Sequence, residues 1–282
     1  MYRVHSWLLM GGLLGLSALV AQVFFGWFGG LAVLGAGLAV NGLAADRGAW
    51  MVLRLHRARP LAYGQGPRLH AMVADLARKA DIAPPQLMYY PADMPNAFAL
   101  GPRSGPGVVA VSTALLRLLN ERETYGVLAH EVAHLKNRDS ILSLTAGMLV
   151  RAVSFISQAI GLTLPLLAVF GGVGDGPPLP ALALLLAAPP LALLLQAGLM
   201  RARERLADQI AAELTGDPRG LAAALYRLQE YGRRLAGWLR RFRFIYTAEA
   251  EGGSRWLRTH PPTGERIAAL LALEEGRVRL AG

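Results

Sequence analysis

The chain has 282 residues, 54% of them hydrophobic, a net charge of +10 and no cysteine. Disulfides and thiolate metal sites are therefore excluded, and the composition and the length of the apolar blocks speak against an ordinary soluble domain. The charge is almost all arginine, Lys79 and Lys136 being the only lysines. It gathers beside the apolar blocks, which accounts for it without nucleic acid as a partner.

From Ser6 to Ala45 no side chain is charged. A helix rises about 1.5 Å per residue and a bilayer core is about 30 Å thick, so roughly 20 apolar residues make one span. This block is long enough for two, with Gly26-Trp27-Phe28-Gly29-Gly30 as the turn. The competing reading is a cleaved signal peptide, since Arg3 precedes the apolar run. Against it, no A-x-A-like site follows and a second apolar stretch continues without a break.

Residues 46–141 form a first polar segment. Residues 66–80 read as a helix and Gln86–Tyr90 as a short strand. Asn96–Leu100 and Val108–Ser112 read as two strands joined by the Gly/Pro-rich 101–107 (GPRSGPG). Asn120, with Glu123 three residues on, is a capping box opening a helix that runs to about Asn137.

That helix carries His130-Glu131-Val132-Ala133-His134. Residues four apart share a helical face, so both imidazoles can reach one metal ion. Glu131 is one step round, where its carboxylate can reach the water that the metal makes acidic without ligating the metal. Two solvated or core histidines on an amphipathic helix would give the same spacing.

Ala152–Phe170 and Gly176–Met200 are again free of charge and supply one span each; buried helices of a soluble domain are the competing reading, with 152–170 the weaker span because Ser154, Ser157, Gln158 and Thr163 lie inside it. Gly171–Pro180 (GGVGDGPPLP) reads as a short external loop. Arginine flanks the other ends: Arg47, Arg54, Arg57 and Arg59 after the first block, Lys136, Arg138 and Arg151 before the third span, Arg201, Arg203 and Arg205 after the fourth. By the positive-inside rule both termini and both polar segments are cytoplasmic. The expected organisation is a transmembrane hairpin at 1–45, a first polar part at 46–141, two spans at 142–200 and a second polar part at 201–282.

The second polar part opens with Arg203-Glu204-Arg205-Leu206-Ala207-Asp208, in a helix continuing to about Thr215 and stopped by Gly216. Asp217-Pro218 starts another, with proline at its first position. Glu204 and Asp208 share a face. Glu204 can be the third ligand that a catalytic site wants beside two histidines, and Asp208 can orient one of them. Equally, both acids can pair with Arg201 and Arg205 on a juxtamembrane helix, and spacing does not decide between the two. Further on, the arginines at 233, 234, 240, 241 and 243 interleave with Leu235, Trp238, Leu239, Phe242 and Phe244, suiting either an anionic leaflet or a solvated helix face. Residues 247–255 (TAEAEGGSR) read as a flexible loop.

Taken together, HEVAHLKNRD (130–139), RERLAD (203–208), PNAFALG (95–101) and HPPTGER (260–266) resemble the HtpX-like integral-membrane zinc metalloproteases, relatives of the CAAX prenyl endopeptidases. The order of parts matches over most of the chain. The resemblance implies a mainly α, polytopic membrane protein of about four transmembrane helices, with a cytoplasmic zincin-like α+β catalytic domain holding a small sheet. His130, His134 and Glu204 would bind one Zn2+ per chain, and Glu131 would be general base and then proton donor. His260 and Arg266 would stabilise the developing oxyanion, and Asp208 and Asp139 would support the ligands. Asn96, Ala97 and Phe98 would lie on the edge strand that takes the substrate backbone; an extended peptide adding to an exposed strand gains affinity from main-chain hydrogen bonds.

The implied activity is endopeptidase cleavage of damaged or misassembled membrane proteins, or of peptides, at the inner face of a bacterial or archaeal cytoplasmic membrane. Its partners would be those substrates and the bilayer. Two alternatives stand beside it. One is a non-catalytic scaffold with zinc as a clamp, for which His260 is the available fourth ligand. The other is a prenyl-protein endopeptidase, whose family members generally have more spans.

Overall fold

The uncharged blocks form long helices, because a chain surrounded by lipid must satisfy its backbone polar groups within itself. The computed structural model describes residues 2–101, 106–170, 178–240 and 262–281. Among these residues, eight α-helices and four strands run in the order α1 (Tyr2–Leu55), β1 (Arg59–Pro60), α2 (Pro67–Ala80), β2 (Gln86–Tyr90), β3 (Ala97–Leu100), β4 (Val108–Ser112), α3 (Thr113–Leu118), α4 (Glu121–Lys136), α5 (Asp139–Val169), α6 (Leu179–Thr215), α7 (Pro218–Arg240) and α8 (Thr263–Ala281). The chain divides into two units, one of residues 1–44 and 141–203 and one of residues 45–140 with the described residues from 204 onward.

Among the described residues, three helical stretches are long and apolar enough to cross a membrane: Tyr2–Val33, Asp139–Leu166 and Leu179–Thr215. Their mutual contacts are made by Met10, Leu13, Leu16 and Val20 against Ala146, Leu149, Val153, Ala188, Ala192 and Leu199. The small residues let helix backbones approach closely. Trp7, Trp27, Phe28, Phe155, Leu162 and Leu186 point outward, Phe28 being 87% exposed. An aqueous surface does not tolerate a belt of that size; a bilayer requires it.

The break expected at Gly26–Gly30 lies within α1, at Gly26, whose φ of 67° and ψ of −168° are open to glycine. Past it the chain doubles back: a Cβ on Gly29 would meet the Ala21 carbonyl oxygen at 2.7 Å, and one on Gly30 would meet that of Ala18 at 3.5 Å. The later helices differ from expectation at their starts. α5 begins at Asp139 rather than near residue 152, so Arg151 falls inside it, and α6 begins at Leu179 rather than Gly176, while its run past Met200 to Thr215 is as expected. Charge marks where a helix leaves lipid, not where it stops.

In the second unit the sheet order is β1-β2-β4-β3, with β2 parallel to β4 and the outer pairs antiparallel. β4 is buried throughout, and β3 forms one edge. One face packs on α2 and α4 through Val109, Val111, Leu76, Leu128 and Val132; the other covers Leu53, Met88, Tyr90 and Ala110. Asn120 and Glu123 cap α4 reciprocally: Glu123 N–H donates to Asn120 Oδ1 at 2.9 Å, and Asn120 N–H to Glu123 Oε2 at 3.0 Å. Gly216, at φ 68°, ends α6.

α4 and α7 touch at Gly126, where a Cβ would come within 2.7 Å of the Leu221 backbone nitrogen and 2.9 Å of its Cα. Alanine would gain about 1 kcal/mol of helix propensity, but backbone cannot yield to it, and overpacking costs about 1–3 kcal/mol. Gly126→Ala is therefore expected to lower the melting temperature of the detergent-purified protein. An unchanged or higher melting point would mean the α4–α7 contact is looser than this spacing.

Candidate metal centre

α4 is a buried platform: from Gly126 to Ala133 every residue is shielded, including His130 and Glu131, each 8% exposed. The helical period brings His130 and His134 to one side, and their Nε2 atoms approach to 3.0 Å. From α6, Glu204 reaches both, with Oε2 3.7 Å from His130 Nε2 and Oε1 3.7 Å from His134 Nε2. These three side chains can hold a metal ion, the only such group among the described residues.

The far side of each ring meets an aspartate. His134 Nδ1 is 2.7 Å from Asp139 Oδ2, and His130 Nδ1 is 3.0 Å from Asp208 Oδ1. A carboxylate there draws the ring proton to Nδ1, so both Nε2 atoms present lone pairs to each other at hydrogen-bond distance. Two lone pairs so placed repel unless a cation lies between them. Donors at tetrahedral angles on bonds of about 2.0–2.1 Å stand roughly 3.3 Å apart, and the observed 3.0 and 3.7 Å bracket that figure. The residues fit a zinc-sized ion.

Arg266, from α8, closes the group. Its Nε and Nη2 donate to the two oxygens of Asp208 at 2.8 and 2.6 Å, and its Nη1 to Glu204 Oε2 at 2.9 Å. Burial alone would lower the guanidinium's pKa; Asp208, with the charges of Glu204 and Glu131, outweighs it and raises the pKa above the ordinary arginine value. The guanidinium expected at the oxyanion thus sits on two carboxylates. His260 lies outside the described residues.

Glu131 is one position from the ligand face, and its charge is felt at Arg266 and at Tyr90 on β2. Burial pushes the Tyr90 hydroxyl's pKa up, opposed by the neighbouring polar Asn96 side chain and reinforced by the charge of Glu131. Asn96 immediately precedes β3, whose Ala97 and Ala99 pack toward α4, while Phe98 turns to the opposite face against Tyr90 and His56, ring centroids 5.4 and 5.1 Å away. Two residues unmarked by the sequence reading stand here. Tyr90 had only strand propensity to signal it, and Ser140, whose hydroxyl donates to the Ala99 carbonyl at 3.2 Å, looks in sequence like any serine near a helix start.

The chain matches the family model described as peptidase family M48 over residues 64–274. It is 34% identical to a protein named "Protease HtpX homolog" from Gemmatimonas aurantiaca, over 97% of this chain and 99% of that one. A protein of the same name from Acaryochloris marina is 37% identical over 93% of each chain. Among solved structures, the crystal structure of S. mikatae Ste24p aligns with a TM-score of 0.60 at 18% identity, covering 92% of this chain and 62% of that one, a likeness of fold. The scaffold alternative is not favoured, since the whole-length relatives are named as proteases. Given a family model over most of its length and such relatives above 30% identity, this chain, an integral membrane metalloendopeptidase, belongs to peptidase family M48.

Proposed function

We propose that the enzyme uses one zinc ion per chain, held by His130, His134 and Glu204, to cleave damaged or misassembled membrane proteins at the cytoplasmic face of the inner membrane. The convergence of the two Nε2 atoms on Glu204, with an aspartate behind each ring, carries this reading. A set of two imidazoles and a carboxylate without thiolate suits zinc. Zinc held by these three residues would supply Lewis acidity toward the scissile carbonyl and toward a water that it would make acidic near neutral pH. Glu131 takes that water's proton and returns it to the leaving nitrogen. Asp208 and Asp139 hold the imidazoles in orientation and tautomer. Arg266 clamps Asp208 and Glu204, which leaves Nη hydrogens that could still meet an oxyanion, alongside His260.

The substrate lies extended along β3, with Asn96, Ala97 and Phe98 as its binding residues. Residues 46–141 and 201–282 together form the catalytic domain. The bilayer is crossed four times, the first hairpin turning at Gly26; the doubling-back of the chain there supports this count. The arginines flanking the spans put the catalytic domain in the cytoplasm.

The test is metal content by mass spectrometry on detergent-purified wild type and Glu204→Ala, prepared side by side. About one zinc per chain in the wild type, largely lost in the variant, is expected. Equal zinc in both, or none in either, would mean that Glu204 is not a ligand and that the metal assignment fails.

A further inference from the structure

We infer that Ser140 fixes where substrate pairing along β3 ends, an inference that rests on β3 being the substrate strand. The register pairs Ala97 with Val111 and Phe98 with Ala110, and Ser112 N–H donates to the Asn96 carbonyl at 2.9 Å. In an antiparallel ladder hydrogen-bonded pairs alternate, so Asn96, Phe98 and Leu100 direct their backbone groups inward to β4. Ala97, Ala99 and Gly101 direct theirs outward, to the open edge of the sheet. The Ala99 carbonyl meets a partner outside the sheet, as that alternation requires.

The outward row is open only in part. The Ser140 hydroxyl donates to the Ala99 carbonyl at 3.2 Å and accepts from Gly101 N–H at 3.4 Å. One side chain thus satisfies the two groups that a longer substrate strand would need next. Among the described residues, this leaves the Ala97 carbonyl and the N–H groups of Ala97 and Ala99 to an incoming peptide. Ser140 adjoins Asp139, whose carboxylate holds His134, so the place where pairing stops is tied to the metal centre by one peptide bond. Ser140 is a positioning residue: it touches the strand, sets the length of main-chain pairing at that end, and leaves substrate residues beyond it without backbone recognition.

The experiment is an N-methyl scan. A quenched-fluorescence peptide that the full-length, zinc-loaded wild type cleaves is remade with each backbone nitrogen outside the scissile bond methylated in turn. KM and kcat are then measured for wild type, Ser140→Ala and Ser140→Thr. In wild type only the substrate N–H facing the Ala97 carbonyl is expected to matter. Ser140→Ala frees the Ala99 carbonyl, so a second sensitive position appears two residues from the first, with KM raised about 2- to 12-fold on methylation, the worth of one hydrogen bond. Ser140→Thr keeps a hydroxyl and the wild-type pattern. Both positions sensitive in wild type, or one in Ser140→Ala, would overturn the inference. So would a Ser140→Ala protein that no longer cleaves, which would make the serine structural. A scan with no sensitive position in any protein would instead remove β3 as the substrate strand.

Discussion

Replacing Glu131 by glutamine is expected to leave a folded, zinc-loaded protein whose peptide cleavage is slower by about 10²- to 10⁴-fold. Glutamine matches glutamate in shape and fills the same site on α4, where Glu131 is 8% exposed, so packing of the helix is retained. It cannot accept a proton. General-base catalysis contributes about 10²- to 10⁴-fold, which corresponds to about 3–5 kcal/mol of barrier. The proposed ligand set is untouched, because His130, His134 and Glu204 converge without Glu131. Metal content and turnover measured on the same preparation therefore separate base from ligand. Cleavage within a few-fold of wild type at full zinc occupancy would remove Glu131 from the chemistry; loss of zinc along with activity would make it part of the metal site.

Where the sequence was informative, one local rule sufficed. The i, i+4 spacing of His130 and His134 and of Glu204 and Asp208 fixes which side chains share a helical face, and the structure brings those four together. Asn120 and Glu123 mark the start of α4 because a capping box is closed within four residues. Gly26 was legible as a turn because a lone break in a long apolar run has few other uses. The remainder depended on partners distant in the chain. Arg266 and Asp208 are 58 residues apart, and no local pattern says that they meet. The parallel pairing of β2 with β4, which puts β3 at the edge, comes from how the sheet packs on α2 and α4, not from the strands' own residues. The start of α5 at Asp139 was missed because hydropathy follows lipid contact, while the helix continues for as long as its backbone hydrogen bonds do.

Arg266→Met is expected to lower stability most in the metal-free protein. Arg266, Asp208 and Glu204 have side chains only 11%, 7% and 12% exposed, and one guanidinium serves both carboxylates. Taking away one partner of a buried ion pair costs about 3–5 kcal/mol, because the remaining charge stays buried and unpaired. Methionine replaces the volume and not the charge. A zinc ion bound beside Glu204 restores part of the missing positive charge, so zinc should raise the melting temperature by a larger step in Arg266→Met than in wild type. Activity should fall about 10- to 100-fold even with zinc bound, since Asp208 is no longer held against His130. Arg266→Lys should fall between the two, because an ammonium keeps the charge but cannot bridge both oxygens of Asp208 and still reach Glu204. The check is thermal unfolding of all three proteins in chelator and in zinc. If metal-free Arg266→Met melts with the wild type, the guanidinium is not neutralising these carboxylates. In that case its place in the enzyme would have to be sought at the substrate instead.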